Sequence, residues 1–319
     1  MVMGSSGLDL AGLFAGVGGI ELGFERAGFN PVVANEIDLN ASITYRLNHK
    51  HELITKDINE LNSAELPKIQ ILTGGFPCQA FSVAGYRKGF KDPRGNVFWE
   101  IVRLVENKKP EIVFLENVKN LGSHDGGKTF RIIQDAMKDQ GYYVKFDILN
   151  ADGFGGVPQN RERIYIAAFK SKKAFNNFEF PNKLKKQAEL SDFIDFKSKV
   201  ADEFYYEDRY MIKELRKHIT RMDTVYQWRR HYVRENKSGV CPTLTANMGT
   251  GGHNVPLVLT KNGIRKLTPR ECFNLMGFPK SFKLPTDMAN SHLYKQAGNA
   301  VVVGVIERIA RNILEALKA

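Results

Sequence analysis

The first two-thirds of the chain alternates short apolar runs with stretches in which apolar residues recur at helical spacing. The runs with the length and composition of buried strands are AGLFAGVGG, NPVVANE, IQILTGG, EIVFLEN, YVKFDILNA and RIYIAAFK. Amphipathic helical spacing is found in IELGFERAG and GNVFWEIVRLVENKK. Strands that alternate with helices predict an α/β fold with a doubly wound parallel sheet, in which ligands bind at the carboxyl ends of the strands.

The pattern changes after about residue 170. SKKAFNNFEFPNKLKKQ is polar and rich in lysine, and about the next hundred residues show no clear alternation, which predicts a smaller, irregular domain. Order returns at RKLTPRECFNLMGFP, and NAVVVGVIERIARNILEALK has the period of an amphipathic helix. We therefore predict one domain over residues 1–180, completed by 285–319, and a second over 181–284 that includes a return hinge.

Net charge points to the class of partner. The 319 residues carry a formal charge of +11, and residues 211–240 contain eight Lys or Arg against three Asp or Glu. Tyr226, Trp228 and Tyr232 are interleaved with these charges. Such a run is typical either of a solvated helical face or of a surface for a polyphosphate, and the positive balance of the whole chain keeps both interpretations open.

Three cysteines with no CxxC pair argue against a disulfide framework and favour a reducing, cytoplasmic setting. Soft ligands do not cluster, so no metal site is predicted, and no apolar run approaches the ~20 residues that cross a membrane. Cys78 stands out because it follows a proline in GGFPCQAFSVAG, directly after the apolar strand IQILTGG. A cysteine there is either a small buried residue or a thiolate nucleophile above the sheet edge.

The glycine-rich turn in LFAGVGGIELG falls where the first strand passes into the first helix, so the backbone can approach a ligand closely. Glu36, at the end of the second strand, lies 18 residues beyond Gly18, where a carboxylate can bind ribose hydroxyls. Alone, it is equally typical of a solvent-exposed carboxylate. With Asp57 as an acceptor for an adenine amino group, the three features favour an adenosyl cofactor. The spacing departs from GxGxxG and includes no phosphate-binding lysine, which argues against NAD and ATP.

Five blocks carry a resemblance to a known family. They are GGFPCQAFSVAG, FLENVKN, GVPQNRERIYI, RKLTPRECFNLMGFP and YKQAGNAVVV, in that order. Over most of its length the chain resembles the C5-cytosine DNA methyltransferases, and among them the bacterial modification enzymes of restriction systems. The resemblance implies a Rossmann-like, S-adenosylmethionine-dependent methyltransferase sheet in the first domain and a target-recognition domain in the second, with residues 171–264 as its variable region.

The implied activity is sequence-specific methylation of cytosine C5 in duplex DNA, which converts S-adenosylmethionine to S-adenosylhomocysteine and protects host DNA from a restriction enzyme. Cytosine C5 is a poor nucleophile, and a thiolate that adds to C6 turns the ring into an enamine whose C5 accepts the methyl group. By resemblance Cys78 is that nucleophile and Glu116 protonates N3. Arg163 holds the cytosine O2, and Asn117 and Arg161 complete the catalytic set. The cytosine must be flipped out of the duplex.

The resemblance also assigns the cofactor contacts, with Phe14 stacked on the adenine, Glu36 on the ribose and Asn299 at the methionine end. The full set is Phe14, Gly16, Gly18, Gly19, Glu36, Ile37, Asp57, Ile58, Pro77, Val97, Asn299 and Ala300. Two positions depart from the family pattern, since Gly12 stands where the first block commonly has aspartate and Ala300 where many members have serine. Each change removes a side-chain hydrogen bond and leaves the backbone contacts.

The expected partner is double-stranded DNA, bound by a monomer in the cytoplasm and away from membranes. The residues predicted to contact it are Ser82, Gln159, Arg229, Arg230, Arg234, Thr243 and Thr245. Residues 80–95 are rich in glycine and charge, as expected of a mobile lid, and PTLTANMGTGGHN is typical of a segment that lies close to a groove or of a flexible loop. A cognate restriction endonuclease would act on the same site without a stable complex.

Two other functions stay open at this point. A tRNA cytosine-5 methyltransferase shares the Pro-Cys and Glu-Asn-Val blocks, although the basic, extended middle region favours DNA. The other is a DNA-binding protein that has lost catalysis, although Cys78, Glu116 and Arg163 are all in place. The recognised DNA sequence depends on side chains that meet base edges, and no residue code gives it.

Overall fold

Two β-sheets organise the part of the chain that the computed structural model describes, residues 7–76, 97–207, 211–229, 232–251 and 254–319. The strands are β1 (Asp9–Leu13), β2 (Asn30–Glu36), β3 (Glu52–Thr55), β4 (Ile71–Gly75), β5 (Ile112–Val118), β6 (Tyr143–Asn150), β7 (Glu162–Phe169), β8 (Val225–Arg229), β9 (Tyr232–Asn236), β10 (Leu257–Thr260) and β11 (Gly263–Lys266). The helices are α1 (Gly19–Ala27), α2 (Leu39–Asn48), α3 (Val97–Lys108), α4 (Lys128–Asp139), α5 (Ala151–Phe154), α6 (Lys172–Asn177), α7 (Ile212–His218), α8 (Pro269–Leu275), α9 (Asn290–Asn299) and α10 (Val303–Lys318).

The chain divides into two compact units. The first consists of Met1–Leu149, Glu162–Asn182 and Val305–Ala319, and the second of Asn150–Arg161 and Lys183–Gly304. Among the described residues, no helix combines the length and the hydropathy that a bilayer crossing requires.

The first unit contains a seven-stranded sheet in the order β3-β2-β1-β4-β5-β7-β6. β1 pairs in parallel with both β2 and β4, β2 pairs in parallel with β3, and β4 with β5. The carboxyl ends of these five strands therefore meet at one edge, where doubly wound sheets bind their ligands. The predicted α/β fold is confirmed.

The direction of β7 differs from the prediction of a wholly parallel sheet, since β7 runs antiparallel to β5. Residues 151–161 separate β6 from β7 and contain only the single-turn helix α5. A parallel return needs a crossover of a dozen or more residues, usually with a full helix. The direction of β7 places Arg163 opposite Val118 at the end of β5.

Apolar side chains from strands and helices form the core of the first unit. Its main cluster joins Leu13 and Leu115 of the sheet to Phe98 of α3 and Ile133 of α4, all of them buried. Close packing elsewhere depends on a glycine in α1, because a Cβ on Gly23 would lie within 2.5 Å of the Ile306 side chain in α10. A larger residue there would force α1 and α10 apart.

The second unit is built around a four-stranded antiparallel sheet in the order β11-β10-β8-β9. The region predicted to be irregular therefore contains regular structure. Exposed arginines alternate with inward-facing residues in β8 and β9. This period-2 pattern was missed because the charges of the segment were counted together and not by position. On the inner face, Tyr226 packs with Leu215, Leu257 and Ile264, all of them buried.

A buried ion pair accounts for the ordered segment that begins at RKLTPRE. Arg265 of β11 is fully buried, and its guanidinium donates to both carboxylate oxygens of Glu271 in α8, at 2.8 Å and 2.7 Å. The same carboxylate caps α8 by accepting from the Thr268 N–H at 2.8 Å. Arg265 also donates to the Asp195 carbonyl at 2.6 Å. The pair thus links β11, α8 and the chain near Asp195 within this unit.

Candidate active site

The ends of β4 and β5 lie side by side and carry polar groups that were predicted to act on the base. In the parallel register Gly75 is opposite Glu116, and both Glu116 and Asn117 are buried. Asn117 Nδ2 donates to the Phe76 carbonyl at 2.8 Å. Asn117 therefore ties the exit of β4 to the end of β5, directly before the segment that contains Cys78.

Arg163 of β7 forms an ion pair with Glu116. Arg163 Nε lies 3.2 Å from Glu116 Oε1, and the two side chains are only 14% and 11% exposed. The guanidinium also donates through Nη1 to the Glu162 carbonyl at 2.8 Å. Because little solvent screens the pair, Arg163 stabilises the charge of the Glu116 carboxylate and fixes its orientation.

Part of the predicted site lies outside the described ranges. Pro77, Cys78, Ser82 and Arg230 are in this part, together with the predicted lid at residues 80–95.

Hydrogen bonds join Glu36 to the glycine-rich turn. Glu36 Oε2 accepts from the Gly16 N–H at 2.6 Å, and Oε1 accepts from the N–H groups of Ile37 and Asp38 at 2.9 Å and 2.7 Å. Gly16 has φ 57°, and nothing lies within 4 Å of a Cβ built on it, so the turn is open there. Phe14 adopts φ 53°, a region that is rare for a bulky residue and whose strain is often associated with functional sites.

Most of the other predicted cofactor residues lie at or just beyond the ends of strands and helices. The exception is Ile58, which lies in the core. Asp57 caps the turn after β3 by accepting from a backbone N–H two residues further on, at 2.9 Å. Ile37 is 60% exposed, whereas Ile58 is buried in the core of the first unit. The remaining positions are Gly18 and Gly19 at the start of α1, Val97 at the start of α3, and, in the second unit, the exposed Asn299 at the end of α9 and the buried Ala300 after it.

These features of the first unit fit an adenosyl group. A carboxylate offers about four acceptor positions, and Glu36 uses three of them for backbone N–H groups. One position therefore remains for a ribose hydroxyl, beside the exposed apolar side chain of Ile37. In the described parts of the chain, no group of three or more His, Cys, Asp or Glu is arranged to hold a metal ion.

Gln159 and Arg161 are buried in the second unit and bind its main chain. The Arg161 guanidinium donates to the carbonyls of Leu244 and Ala300 at 2.7 Å and 2.8 Å. The Gln159 amide donates to the Leu275 carbonyl at 2.8 Å and accepts from the Leu244 N–H at 3.2 Å. Both side chains therefore hold the segment around Leu244 in place. Gln159 has no exposed surface, in contrast to the DNA contact predicted for it.

Four of the residues predicted to contact DNA line one pocket of the second unit. The pocket has a volume of about 400 Å³, and Arg229, Arg234, Thr243 and Thr245 belong to its wall. The sequence interpretation missed the amide side chains beside them, because isolated Asn and Gln residues form no distinctive pattern. They are Asn160, Gln227, Asn236, Asn247 and Asn254.

Comparison with known proteins decides the family. Residues 8–315 match the C-5 cytosine-specific DNA methylases. The chain belongs to this family. The Type II methyltransferase M.Bsp6I of Bacillus sp. (strain RFL6) is 56% identical over 314 residues, which cover 97% of this chain and 99% of that protein. The Type II methyltransferase M.HhaI of Haemophilus parahaemolyticus is 38% identical over 320 residues, with 97% and 94% covered. The chain is thus a DNA (cytosine-5) methyltransferase of the restriction-modification type, in a family that uses S-adenosylmethionine.

Solved structures agree with the fold. A DNMT2 mutant of Spodoptera frugiperda has a TM-score of 0.73 at 20% identity and covers 96% of this chain and 99% of that chain. A putative DNA modification methyltransferase encoded within an E. coli prophage has a TM-score of 0.71 at 23% identity, with 98% and 100% covered. At these identities the likeness establishes the methyltransferase fold alone.

In this methyltransferase a buried carboxyl group occupies the space beside Gly12, where the family commonly has aspartate. A Cβ built on Gly12 would lie 1.7 Å from Glu21 Oε1, and Glu21 is 1% exposed with no hydrogen-bond partner at Oε2. Burial raises the pKa of Glu21 to about 8, and the nearby charge of Glu36 adds to this effect. Glu21 is therefore mostly neutral at pH 7. The absence of a side chain at residue 12 therefore makes room for the carboxyl group of residue 21.

Gly12→Asp should destabilise the protein, because two carboxyl groups would compete for one space, and Glu21→Ala should relieve the conflict. In a double-mutant cycle measured by thermal unfolding, the two changes should couple by about 1 kcal/mol or more, as contacting residues do. Gly122→Ala serves as the control, since a Cβ there would lie at an ordinary contact distance, 3.7 Å from the Ile164 side chain. Additive effects at residues 12 and 21 would contradict this interpretation.

Glu21 should also make stability fall with rising pH. The raised pKa means that the folded protein holds a proton that the unfolded chain releases near pH 4.5, the ordinary value. The corresponding stabilisation is complete below pH 4.5 and is lost as the pH rises toward about 8, by at most ~1.4 kcal/mol per pH unit. Glu21→Gln should flatten this part of the profile of unfolding free energy between pH 5 and 8. Parallel profiles for the two proteins would rule the assignment out.

Proposed function

We propose that this methyltransferase acts on a cytosine flipped out of duplex DNA, through a covalent bond between Cys78 Sγ and cytosine C6. The mostly buried Glu116–Arg163 ion pair carries the proposal, because it lies at the end of β5, beside the β4 exit that leads to Cys78. Relatives named as Type II methyltransferases, which match 97% of the chain, support DNA as the substrate class.

The three cysteines differ in their capacity to act as nucleophiles. Cys241 and Cys272 are fully buried, and burial raises the pKa of both thiols. Neither can present a thiolate to a DNA base. The remaining cysteine, Cys78, follows in sequence the end of β4, and strand ends of this kind form the edge where ligands bind. We therefore assign it as the nucleophile.

In the proposed reaction the Cys78 thiolate forms a bond to C6 and the C5=C6 π electrons shift toward C4 and N3. Glu116 donates a proton to N3, which leaves an enamine with a nucleophilic C5. When bound, S-adenosylmethionine supplies the electrophilic methyl group that C5 accepts. Loss of the C5 proton to solvent then expels the thiolate from C6, and the N3 proton returns to Glu116. Glu116 thus gives and takes back the proton at N3, and Cys78 forms and breaks the bond at C6.

The ion pair gives Arg163 a second task. Before the base binds, the guanidinium favours the ionised form of Glu116. A cytosine that accepts from Arg163 at O2 draws the guanidinium away from the carboxylate, and a dry pocket then favours the protonated acid. Asn117 supports the arrangement by holding the exit of β4 in place.

We assign the remaining parts as follows. The open turn at Gly16, the Phe14 ring, Glu36 and Ile37 bind S-adenosylmethionine in the first unit, and residues 181–284 recognise the DNA target. The predicted division into 1–180 with 285–319, and 181–284, stays a prediction, as does the monomeric state. The cellular role is protection of host DNA, in the cytoplasm, from a restriction enzyme with the same target.

Two alternatives remain for the test to separate. Methylation of tRNA would use the same chemistry on a different substrate, and the structural likeness to DNMT2 proteins bears on the fold alone. A DNA-binding protein without catalysis would bind duplex DNA and transfer nothing. Incubation with labelled S-adenosylmethionine and either duplex DNA, single-stranded DNA or tRNA gives a different result for each.

Wild-type enzyme should label duplex DNA, and Cys78→Ser should abolish labelling while DNA affinity stays within about tenfold, because the thiol acts after the base is flipped. Cys272→Ala is the matched control and should keep methyl transfer, provided that thermal unfolding shows it folded. A duplex with 5-fluorocytosine at the target should form a covalent complex with the wild type, since the fluorine cannot leave as a proton does. Substantial labelling by Cys78→Ser would overturn the mechanism.

Glu116→Gln should lower turnover by about 10²-fold or more, the usual scale for loss of a general acid. The amide keeps the shape of the side chain but cannot pass a proton to N3. Equilibrium binding of S-adenosylmethionine should stay unchanged, because Glu116 is assigned to the base. A large loss of cofactor affinity would instead move Glu116 to the cofactor site.

A further inference from the structure

The paired strands β8 and β9 have two different faces. Directly paired residues share a face, and the register pairs Gln227 with Arg234 and Arg229 with Tyr232. Side chains alternate along a strand, so Gln227 and Arg229, two residues apart, also share a face. Gln227, Arg229 and Arg234 therefore project together, and all three line the 400 Å³ pocket of the second unit.

Packing of the opposite face fixes this orientation. Tyr226 is fully buried, and Trp228 and Val233 pack against the same apolar cluster. Turning the strand pair over would bury two guanidinium groups and expose these apolar side chains. Trp228 thus packs against the inner cluster, although it also contributes to the pocket wall.

The face that lines the pocket presents hydrogen-bond donors. Arg229 Nη2 lies 3.2 Å from the side-chain oxygen of Gln227. A guanidinium has donors only, so the amide atom that faces it must be the oxygen. Gln227 Nε2 is thereby directed to donate elsewhere, and Arg229 and Arg234 contribute further N–H groups.

Three of the other amides in the pocket wall have their oxygens engaged by the protein, whereas Asn254 uses its Nδ2 to donate to the carbonyls of Asn247 and Gly251. The contacts are Asn160 with Asn150, Asn236 with Ser238, and Asn247 with Thr245, where the second residue of each pair donates. No carboxylate is among the described residues that line the pocket. Among the described residues, the wall therefore offers the charged donors of two arginines and no charged acceptor.

We propose that Gln227, Arg229 and Arg234 form the surface that recognises a guanine in the major groove of the target DNA. Guanine presents two acceptors there, N7 and O6, whereas adenine presents N7 and an amino donor. Donors match the guanine pattern and leave the adenine amino group without an acceptor. Glutamine reads adenine when its oxygen and nitrogen both face the base, but Arg229 engages the oxygen of Gln227.

The Gln227–Arg229 contact also favours a base over a phosphate. It holds a planar amide and a planar guanidinium together, which suits the planar edge of a base, whereas a phosphate contact needs no such constraint. The inference rests on the proposed function, since it takes duplex DNA as the ligand. It adds which base is read and which side chains read it.

The test begins with bisulfite sequencing of DNA methylated by the wild-type enzyme, which identifies the target. Cognate duplexes are then prepared with one guanine at a time replaced by 7-deazaguanine, which pairs normally but lacks N7. Wild-type binding should weaken about tenfold at one guanine, within the range expected for a bidentate contact. Gln227→Ala and Arg229→Ala should bind the unmodified duplex more weakly and show no further loss at that guanine.

Lys199→Ala is the matched control, because it removes one exposed positive charge from the same unit and leaves the pocket intact. It should keep the full penalty for 7-deazaguanine. Penalties in the Gln227 and Arg229 variants that equal the wild-type value would overturn the proposal, as would equal losses on cognate and scrambled duplexes, which indicate phosphate contacts. Failure of the proposed function looks different: the wild type would then label no duplex at all, which overturns both.

Discussion

Parallel pairing of β1, β2, β4 and β5 is the constraint on which the site in the first unit depends. It brings four carboxyl strand ends to one edge, so residues far apart in sequence lie at neighbouring strand ends. Phe14 follows β1, Glu36 ends β2, Gly75 ends β4 and Glu116 lies near the end of β5. The antiparallel β7 then adds Arg163 opposite the end of β5. Without this register no local sequence feature would bring a cation to Glu116.

Three carboxyl groups of the first unit show how environment separates residues of one type. Glu36 accepts three backbone N–H groups and keeps one acceptor position. Glu116 has the guanidinium of Arg163 as its partner. Glu21 has only a hydrogen bond with its own backbone, and burial raises its pKa, so it is held neutral in the space beside Gly12. The three environments thus match the roles proposed for Glu36 at a ribose and Glu116 at a base, and the space-filling position of Glu21.

The sequence predicted those elements whose signal is local. NPVVANE is β2 residue for residue, and EIVFLEN overlaps β5, because both are apolar runs between turn-forming or charged residues. Contacts that depend on distant partners were missed, such as Arg161 with carbonyls 83 and 139 residues away. Glu21 was missed because a carboxyl group buried against a glycine looks like an ordinary polar position in a helix. The β8–β9 pair was missed because its charges were counted together, whereas the strand period places Trp228 and Arg229 on opposite faces.

That separation of faces has a consequence for how recognition can vary. The inner face of β8 and β9 carries the apolar contacts that stabilise the second unit, while Gln227, Arg229 and Arg234 contribute little to its core. Exchanging the outward residues therefore changes the hydrogen-bond groups of the proposed recognition surface without creating a cavity or burying a charge. The segment beside them is held mainly through its main chain, since Gln159 and Arg161 both bind Leu244 by its backbone. A scaffold fixed through backbone atoms and inward apolar residues leaves the outward positions free to vary, as the proposed role in target recognition requires.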